Sequence, residues 1–238
     1  MAENDRTRRL PFRRSNPLAL AVLSCLAERP MHPYEMAATL RERAKHESIR
    51  LNYGSLYGVV ESLVRAGLIE PAQTERAGRR PERTIYRVTA AGRLEHADWL
   101  AELLSTPAKE FTQFEAGLSL MPGLAPDDVV RLLGVRSIAL QRELTALESA
   151  ETMARQMGLP RLFAIESEFR RTMRRAELDF TRRLAAEIAD GSFDGVELWR
   201  SLHEDLARAE AEGRPPVYPE FTFPPPPEAG TDHPQEDA

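Results

Sequence analysis

Two groups of side chains have the types and spacing to bind a polyanion. Arg76, Arg79, Arg80 and Arg83 surround the turn sequence AGRRP at Ala77–Pro81, while Asn52, Tyr53, Ser55 and Tyr57 open the stretch Leu51–Leu68, with Arg50 just before it. Guanidinium groups on a glycine and proline turn suit phosphate oxygens. Amide and hydroxyl groups in the first turns of a helix can reach phosphates or base edges, helped by the free N–H groups and the positive helix end. Bond-making chemistry has little to stand on. There is no glycine-rich phosphate loop, no paired-cysteine metal spacing and no nucleophile elbow, so neither an enzyme, a metal nor a cofactor is expected. Glu166, Glu168 and Glu177 lie on an arginine-laced helix and read as a solvated surface. His32 has no other histidine at a ligand spacing and is expected to hydrogen-bond locally at a helix start.

These groups need elements to hold them. In LNYGSLYGVVESLVRAGL, Asn52 can cap a helix whose Leu56, Val60, Leu63 and Val64 form a buried stripe, with Gly67 as terminator. Tyr57 faces either the ligand or the second helix. Upstream, Asn16 and Pro17 cap and start a first helix with Leu18, Val22, Leu23 and Leu26 on its apolar face, ended by Arg29 and Pro30. A second short helix begins at Pro33 and offers Tyr34, Met36, Ala37 and Leu40, before the polar connector ERAKHES. Three short helices with short links pack most economically as a helix-turn-helix. The period then changes: Ile69–Thr74 and the alternating Thr84–Val88 predict a hairpin with a basic tip, completing a winged helix. Thr89 caps a fourth helix carrying Leu94, Ala97, Leu100, Leu103 and Leu104, with Trp99 as an anchor.

Charge is distributed to match. The 238 residues carry a net −5, yet Met1–Glu95 holds 17 Lys and Arg against 11 Asp and Glu, a balance of +6 that leaves −11 for the rest. A basic front and acidic rear present one face to a polyanion. Arg6, Arg8, Arg9, Arg13 and Arg14 make Met1–Ser15 either a phosphate-contacting arm or a solvated terminus. No apolar run is long enough to span a bilayer and no signal-peptide core is evident, so no membrane partner and a cytoplasmic location are expected. Cys25, the single cysteine, reads as an apolar filler.

The second half is helical. Phe111, Phe114, Leu118, Leu120 and Met121 suggest a short buried helix stopped by Pro122 and Gly123. Pro126 starts a long helix with Asp127 and Asp128 at its positive end and Val130, Leu133, Leu140, Leu144 and Leu147 along one edge, to about Met157. After GLP at 158–160, a second long helix carries Leu162, Phe169, Ala176 and Arg183 at seven-residue spacing, interleaved with Ile165, Met173, Phe180 and Glu187 and continued by Leu184 and Ile188. Two antiparallel amphipathic helices cannot bury both faces in each other, and a second copy of the chain is the simplest partner. The expected seam is Leu133, Leu140, Leu144, Leu147, Leu162, Phe169, Met173 and Phe180. Phe193, Val196, Leu198, Trp199, Leu202 and Leu206 suggest a final short helix over this hairpin or the seam, and the proline-rich Glu212–Ala238 should be disordered, with Tyr218, Phe221 and Phe223 as aromatic positions.

Residues 18–95 resemble the DNA-binding domain of the PadR family of bacterial transcriptional regulators. The matching stretches are LALAVLSCLAERPMHPYEMAATL, LNYGSLYGVVESLVRAGLIE and GRRPERTIYRVTAAGR. His32–Glu35 stand for the family's HGYE-like stretch, Gly54, Ser55, Leu56 and Tyr57 for the opening of its third helix, and Gly78, Arg79, Pro81 and Tyr86 for its wing. Pro33 replaces a glycine usual in the family, and Gly58 stands where proline often follows the tyrosine. The resemblance implies a mainly α fold with a small β hairpin: an N-terminal winged helix-turn-helix and a C-terminal antiparallel helical dimerisation domain. The expected organisation is a basic flexible arm at 1–15, the DNA-binding domain at 16–105, a dimerisation and effector domain at 106–211, and a tail at 212–238. It also implies a homodimeric repressor of a palindromic site on double-stranded DNA, released by a small hydrophobic or aromatic effector near Phe111, Phe114 and Phe163. The alternative is a helical scaffold controlled by a protein partner. Replacing Arg79 and Arg80 with alanine is expected to weaken binding to all DNA sequences and flatten its salt dependence, whereas Ser55→Ala should change the preference among sites; duplex titrations at two salt concentrations check both.

Overall fold

Asn16 sets the first helix in place: its side chain accepts the Leu18 N–H at 3.0 Å, and Pro17 occupies the first turn of α1 (Pro17–Glu28). In this computed structural model, which describes residues 14–75 and 83–215, α1 is buried almost all round rather than along one stripe. Ala19, Leu20 and Ala21 join Leu18, Val22, Leu23 and Leu26, because α2 (Pro33–Glu42), α3 (Tyr53–Arg65), a two-stranded sheet and α4 (Ala90–Ser105) all pack against it. Cys25 lies in this core, and burial pushes its thiol up to about 11. Tyr34, expected among the apolar contacts of α2, is instead exposed, while Met36, Ala37 and Leu40 are buried. His32 caps α2 as expected, its Nδ1 accepting the Tyr34 N–H at 3.1 Å.

Strands β1 (Ile69–Glu75) and β2 (Arg83–Val88) pair antiparallel, Ile69 opposite Val88 and Glu75 opposite Arg83. Met31 exchanges both backbone hydrogen bonds with Tyr86 at 3.0 and 3.1 Å, on the side of β2 away from β1. Pro71 sits opposite Tyr86, whose N–H and C=O are already taken by Met31, so the proline costs the ladder nothing; the register shifts just after it. The hairpin tip, with Arg76, Gly78, Arg79, Arg80 and Pro81, lies outside the described residues, as do the arm arginines before Arg14 and the tail from 216 onward with its Tyr218, Phe221 and Phe223.

One junction ties these pieces together. Gly67, at φ 72°, turns the chain out of α3, and Thr89 then bonds back to that turn: its N–H donates to the Leu68 carbonyl at 3.0 Å, and its Oγ1 lies within hydrogen-bond distance of the Gly67 and Leu68 carbonyls while accepting the Gly92 N–H at the start of α4. A Cβ on Gly92 would stand 2.0 Å from the Leu68 carbonyl oxygen and 2.8 Å from Val88. α4 is fastened along α1 by buried Trp99, by His96 Nε2 hydrogen-bonded to Ser24 Oγ at 2.8 Å, and by Arg93 on the Ala27 carbonyl. Arg14 pairs with Glu95 at 2.7 Å and with Glu102. Of the apolar residues expected to pack along α4, Leu94, Leu100, Leu103 and Leu104 are exposed in the single chain, because the side toward α1 is filled by Trp99.

The chain divides into two compact units between Glu110 and Phe111. In the second, α5 (Gln113–Ser119) precedes a helical hairpin of α6 (Pro126–Gln156) and α7 (Ile165–Asp190), followed by α8 (Val196–Glu212). Its core is Val129, Leu133, Leu184, Ile188, Val196 and Trp199, with a smaller cluster of Leu140, Leu144 and Leu178 further along the hairpin. α8 closes the core, Trp199 Nε1 donating to the Leu124 carbonyl and His203 Nε2 to that of Pro122, both at 2.9 Å. α5 is not the buried helix expected: Phe111 and Leu120 are exposed, and only Phe114, Leu118 and Met121 reach the core edge. Gly92→Ala is expected to destabilise the chain by about 3 kcal/mol, since a backbone oxygen cannot yield as a side chain would, lowering the first unit's melting temperature by about 10 °C or more in calorimetry.

Candidate nucleic-acid interface

α3 starts where its sequence says it should. The Asn52 side chain accepts the Gly54 N–H at 3.0 Å, and Leu56, Val59, Val60 and Leu63 are buried, with Val64 at the core edge. At about 100° per residue, the direction opposite this stripe is occupied by Gly54, Gly58, Glu61 and Arg65, with Ser55 on one flank and Tyr57 on the other. All six are exposed, Tyr57 at 48%. Asn52 and Arg50 are also exposed at the start of the helix, and the Tyr53 backbone forms its first residue. Arg83 closes the strand ladder through its backbone, while Arg76, Arg79 and Arg80 fall outside the described residues.

A capped helix with a polar, partly side-chain-free outward face, followed immediately by a hairpin, can be admitted to a groove. The sequence pattern leaves Ser55, Tyr57 and Glu61 off the apolar stripe and Asn52 as the cap, but does not single out Gly54 and Gly58, which lie with Glu61 at the centre of the face. The signal was available: the direction opposite Leu56, Val60 and Leu63 falls on Gly54, Gly58 and Glu61.

Residues 22–98 match the family model of the transcriptional regulator PadR-like family. Over those residues the chain is PadR-like. Its fold is similar to solved structures of Bacillus subtilis PadR in complex with operator DNA (17% identity over 73% of this chain and 99% of that one, TM-score 0.58). It is similar to the same Bacillus subtilis protein in complex with p-coumaric acid (17%, 72% and 98%, TM-score 0.54). The Vibrio cholerae virulence activator AphA is a further structural match (15%, 73% and 98%, TM-score 0.54). No curated protein matches the chain. The PadR-like unit is thus a winged helix-turn-helix, with α3 as its third helix and the β1–β2 hairpin as its wing.

The remaining expected site residues of this PadR-like protein sort into two sets. Leu133, Leu140 and Leu144 are buried inside the single chain, and Leu147 is half-buried, so the first three are core of the α6–α7 hairpin and leave no surface for a seam. Leu162, Phe169, Met173 and Phe180 are exposed, the first three by half or more. The reason is that α7 turns a different face to α6: Leu178, Thr181, Leu184 and Ile188 are buried. Earlier along α7, Arg171 pairs with Glu151 and Arg174 with Glu143, each at 3.0 Å, and Arg175 pairs with Glu148 at 2.7 Å. Glu177, read as solvated surface, is largely buried and held by Arg136 and Arg174, both at 2.8 Å.

The proposed effector aromatics are not one cluster. Phe114 meets Phe180 edge to face with centroids 6.5 Å apart, and the Arg136 guanidinium lies 3.7 Å from the Phe114 ring centre. Phe163 precedes the start of α7 at Ile165, about 22 Å along that helix from Phe180, and is exposed. No helix among the described residues is long and apolar enough to cross a membrane. Asn52→Ala is expected to cost about 1 kcal/mol of stability and to lower DNA affinity by fraying the first turn of α3, which paired thermal melts and duplex titrations would show.

Proposed function

We propose that this PadR-like regulator works as a homodimer that reads a palindromic operator, one α3 in the major groove of each half-site and the wing arginines Arg76, Arg79, Arg80 and Arg83 on the sugar-phosphate backbone. Arg50, Asn52, Tyr53, Ser55 and Tyr57 serve as the contacts at the start of α3. The observation that carries this reading is the outward face of α3, polar, capped and outside the chain's own packing. Its support from relatives is that Bacillus subtilis PadR has been crystallised with operator DNA.

The second copy is supported by the outward row of α7. Phe169, Met173 and Phe180 of α7 and Leu162 just before it, with Leu132, Val135, Ile138 and Met153 of α6 and Met157 at its end, leave large apolar side chains in water along a hairpin whose inner face is already filled. Burying them against a two-fold related copy would double the base contacts and fix half-site spacing. The protein acts as a repressor by excluding polymerase, and an aromatic effector that shifts the angle between protomers releases it, because losing register at one half-site removes several contacts at once. Phe114, edge to face with the half-exposed Phe180, offers an aromatic effector a ring to stack on; Bacillus subtilis PadR in complex with p-coumaric acid is a relative with an aromatic ligand. The location is the cytoplasm, with no membrane partner.

The test is a titration of the full chain against DNA upstream of its own gene, at two salt concentrations, with an unrelated duplex as control. Tight, salt-sensitive binding to the upstream DNA at two chains per site supports the reading, and equally weak binding to both duplexes favours the scaffold alternative. Replacing Phe169 and Met173 together with glutamate should halve the mass in light scattering to that of the 26.8 kDa chain and weaken operator binding about 100-fold, without unfolding the hairpin.

A further inference from the structure

The centre of the outward face of α3 carries a single carboxylate. Glu61 is exposed one turn beyond Gly58 and two beyond Gly54, and its carboxylate has no side-chain partner among the described residues, Arg65 one turn further on included. Most other carboxylates of the first unit near a cation are engaged: Glu28 with Arg43, Glu35 with Arg29, Glu70 with Arg87, Glu95 with Arg14. A lone negative charge on a surface that approaches phosphates is unfavourable unless a donor meets it there.

The two glycines say how closely that donor can come. A Cβ on Gly58 would meet nothing within 4 Å, and one on Gly54 would touch only the Asn52 side chain at 3.6 Å, in ordinary contact. Neither has a positive φ. Nothing inside the chain therefore requires glycine at either position, although each weakens the helix relative to alanine. What their absence of side chains does provide is bare backbone on the N-terminal side of Glu61, so that the helix can sit deep and the carboxylate can reach base edges rather than stop at the phosphates.

We propose that Glu61 is a specificity-determining residue, accepting a hydrogen bond from the exocyclic amino group of one cytosine in the major groove of each half-site. Cytosine N4 is the donor a carboxylate selects there, and a guanine or thymine at the same place presents acceptors that repel it. The proposal rests on α3 as the groove-entering helix, and deepens that reading by naming the base it selects and the group that selects it. Ser55 and Tyr57, on the flanks, adjust register, and Glu61 discriminates.

The experiment is a selection from a randomised duplex pool by the full-length protein, the Glu61→Gln variant and the Gly58→Ala variant, followed by titration of the selected duplexes. The wild type should yield a motif with a cytosine preference at one position per half-site. Glu61→Gln, a surface change of equal size, should relax that position alone by about tenfold while strengthening binding to unrelated duplex. Gly58→Ala should melt at a higher temperature yet bind the selected duplex more weakly, a combination that loss of folding cannot produce. A wild-type motif unchanged by Glu61→Gln overturns the proposal while leaving α3 in the groove, provided Gly58→Ala still weakens binding. If no motif is recovered, or if Gly58→Ala binds as tightly as the wild type, α3 is not the reading helix and both readings fail.

Discussion

The first unit depends on a close approach of backbone to backbone. Where α4 begins, the Gly92 backbone stands against the Leu68 carbonyl so tightly that no side chain fits, and Thr89 bonds to the Gly67–Leu68 turn while capping α4. The end of α3, the root of the wing and the start of α4 thus meet at one point. The angle at which α3 is presented and the direction in which the hairpin leaves are set together there. α1, buried over most of its surface, supplies the apolar mass against which this junction is held.

The helical hairpin is organised by a different balance. Toward the α8 end, Val129, Leu133, Leu184, Ile188, Val196 and Trp199 form an apolar core, but beyond Leu144 no residue of α6 is buried. There α7 holds to α6 through arginines and glutamates, and its own aromatic and aliphatic side chains turn outward. Ion pairs at a partly exposed helix interface contribute modestly and respond to salt. This part of the hairpin is therefore weakly held by its own chain and rich in surface for another one, a combination that suits an element completed by its partner. Glu177 is the exception: with little exposure and two arginine partners, removing either arginine would leave a costly charge behind.

Local chemistry alone determined the N-terminal unit. Asn16, His32, Asn52 and Thr89 each cap the helix the sequence assigns to them, proline opens α1 and α2, Gly67 closes α3, and the switch from a helical to an alternating pattern marks the wing. These are signals read within a few residues of where they act, and they suffice for the order of elements and for the winged-helix reading. The basic wing tip and proline-rich tail were legible as composition only.

Tertiary structure decided which side of each element is inside. Tyr34, Phe111 and the leucines of α4 are apolar by type but exposed, since burial depends on what packs opposite and a period shows only that a face exists. On α7 two apolar rows compete: Leu178, Leu184 and Ile188 pack with Val129, Leu133, Leu140 and Leu144 of α6, and the heptad through Phe169 does not, since the burial available is on the side where α6 is apolar. For the same reason Leu133, Leu140 and Leu144, read as seam, are core. The α3 stripe was legible from its period, but that a Cβ on Gly58 would meet nothing of the chain, so that no internal contact calls for glycine there, only the tertiary structure shows.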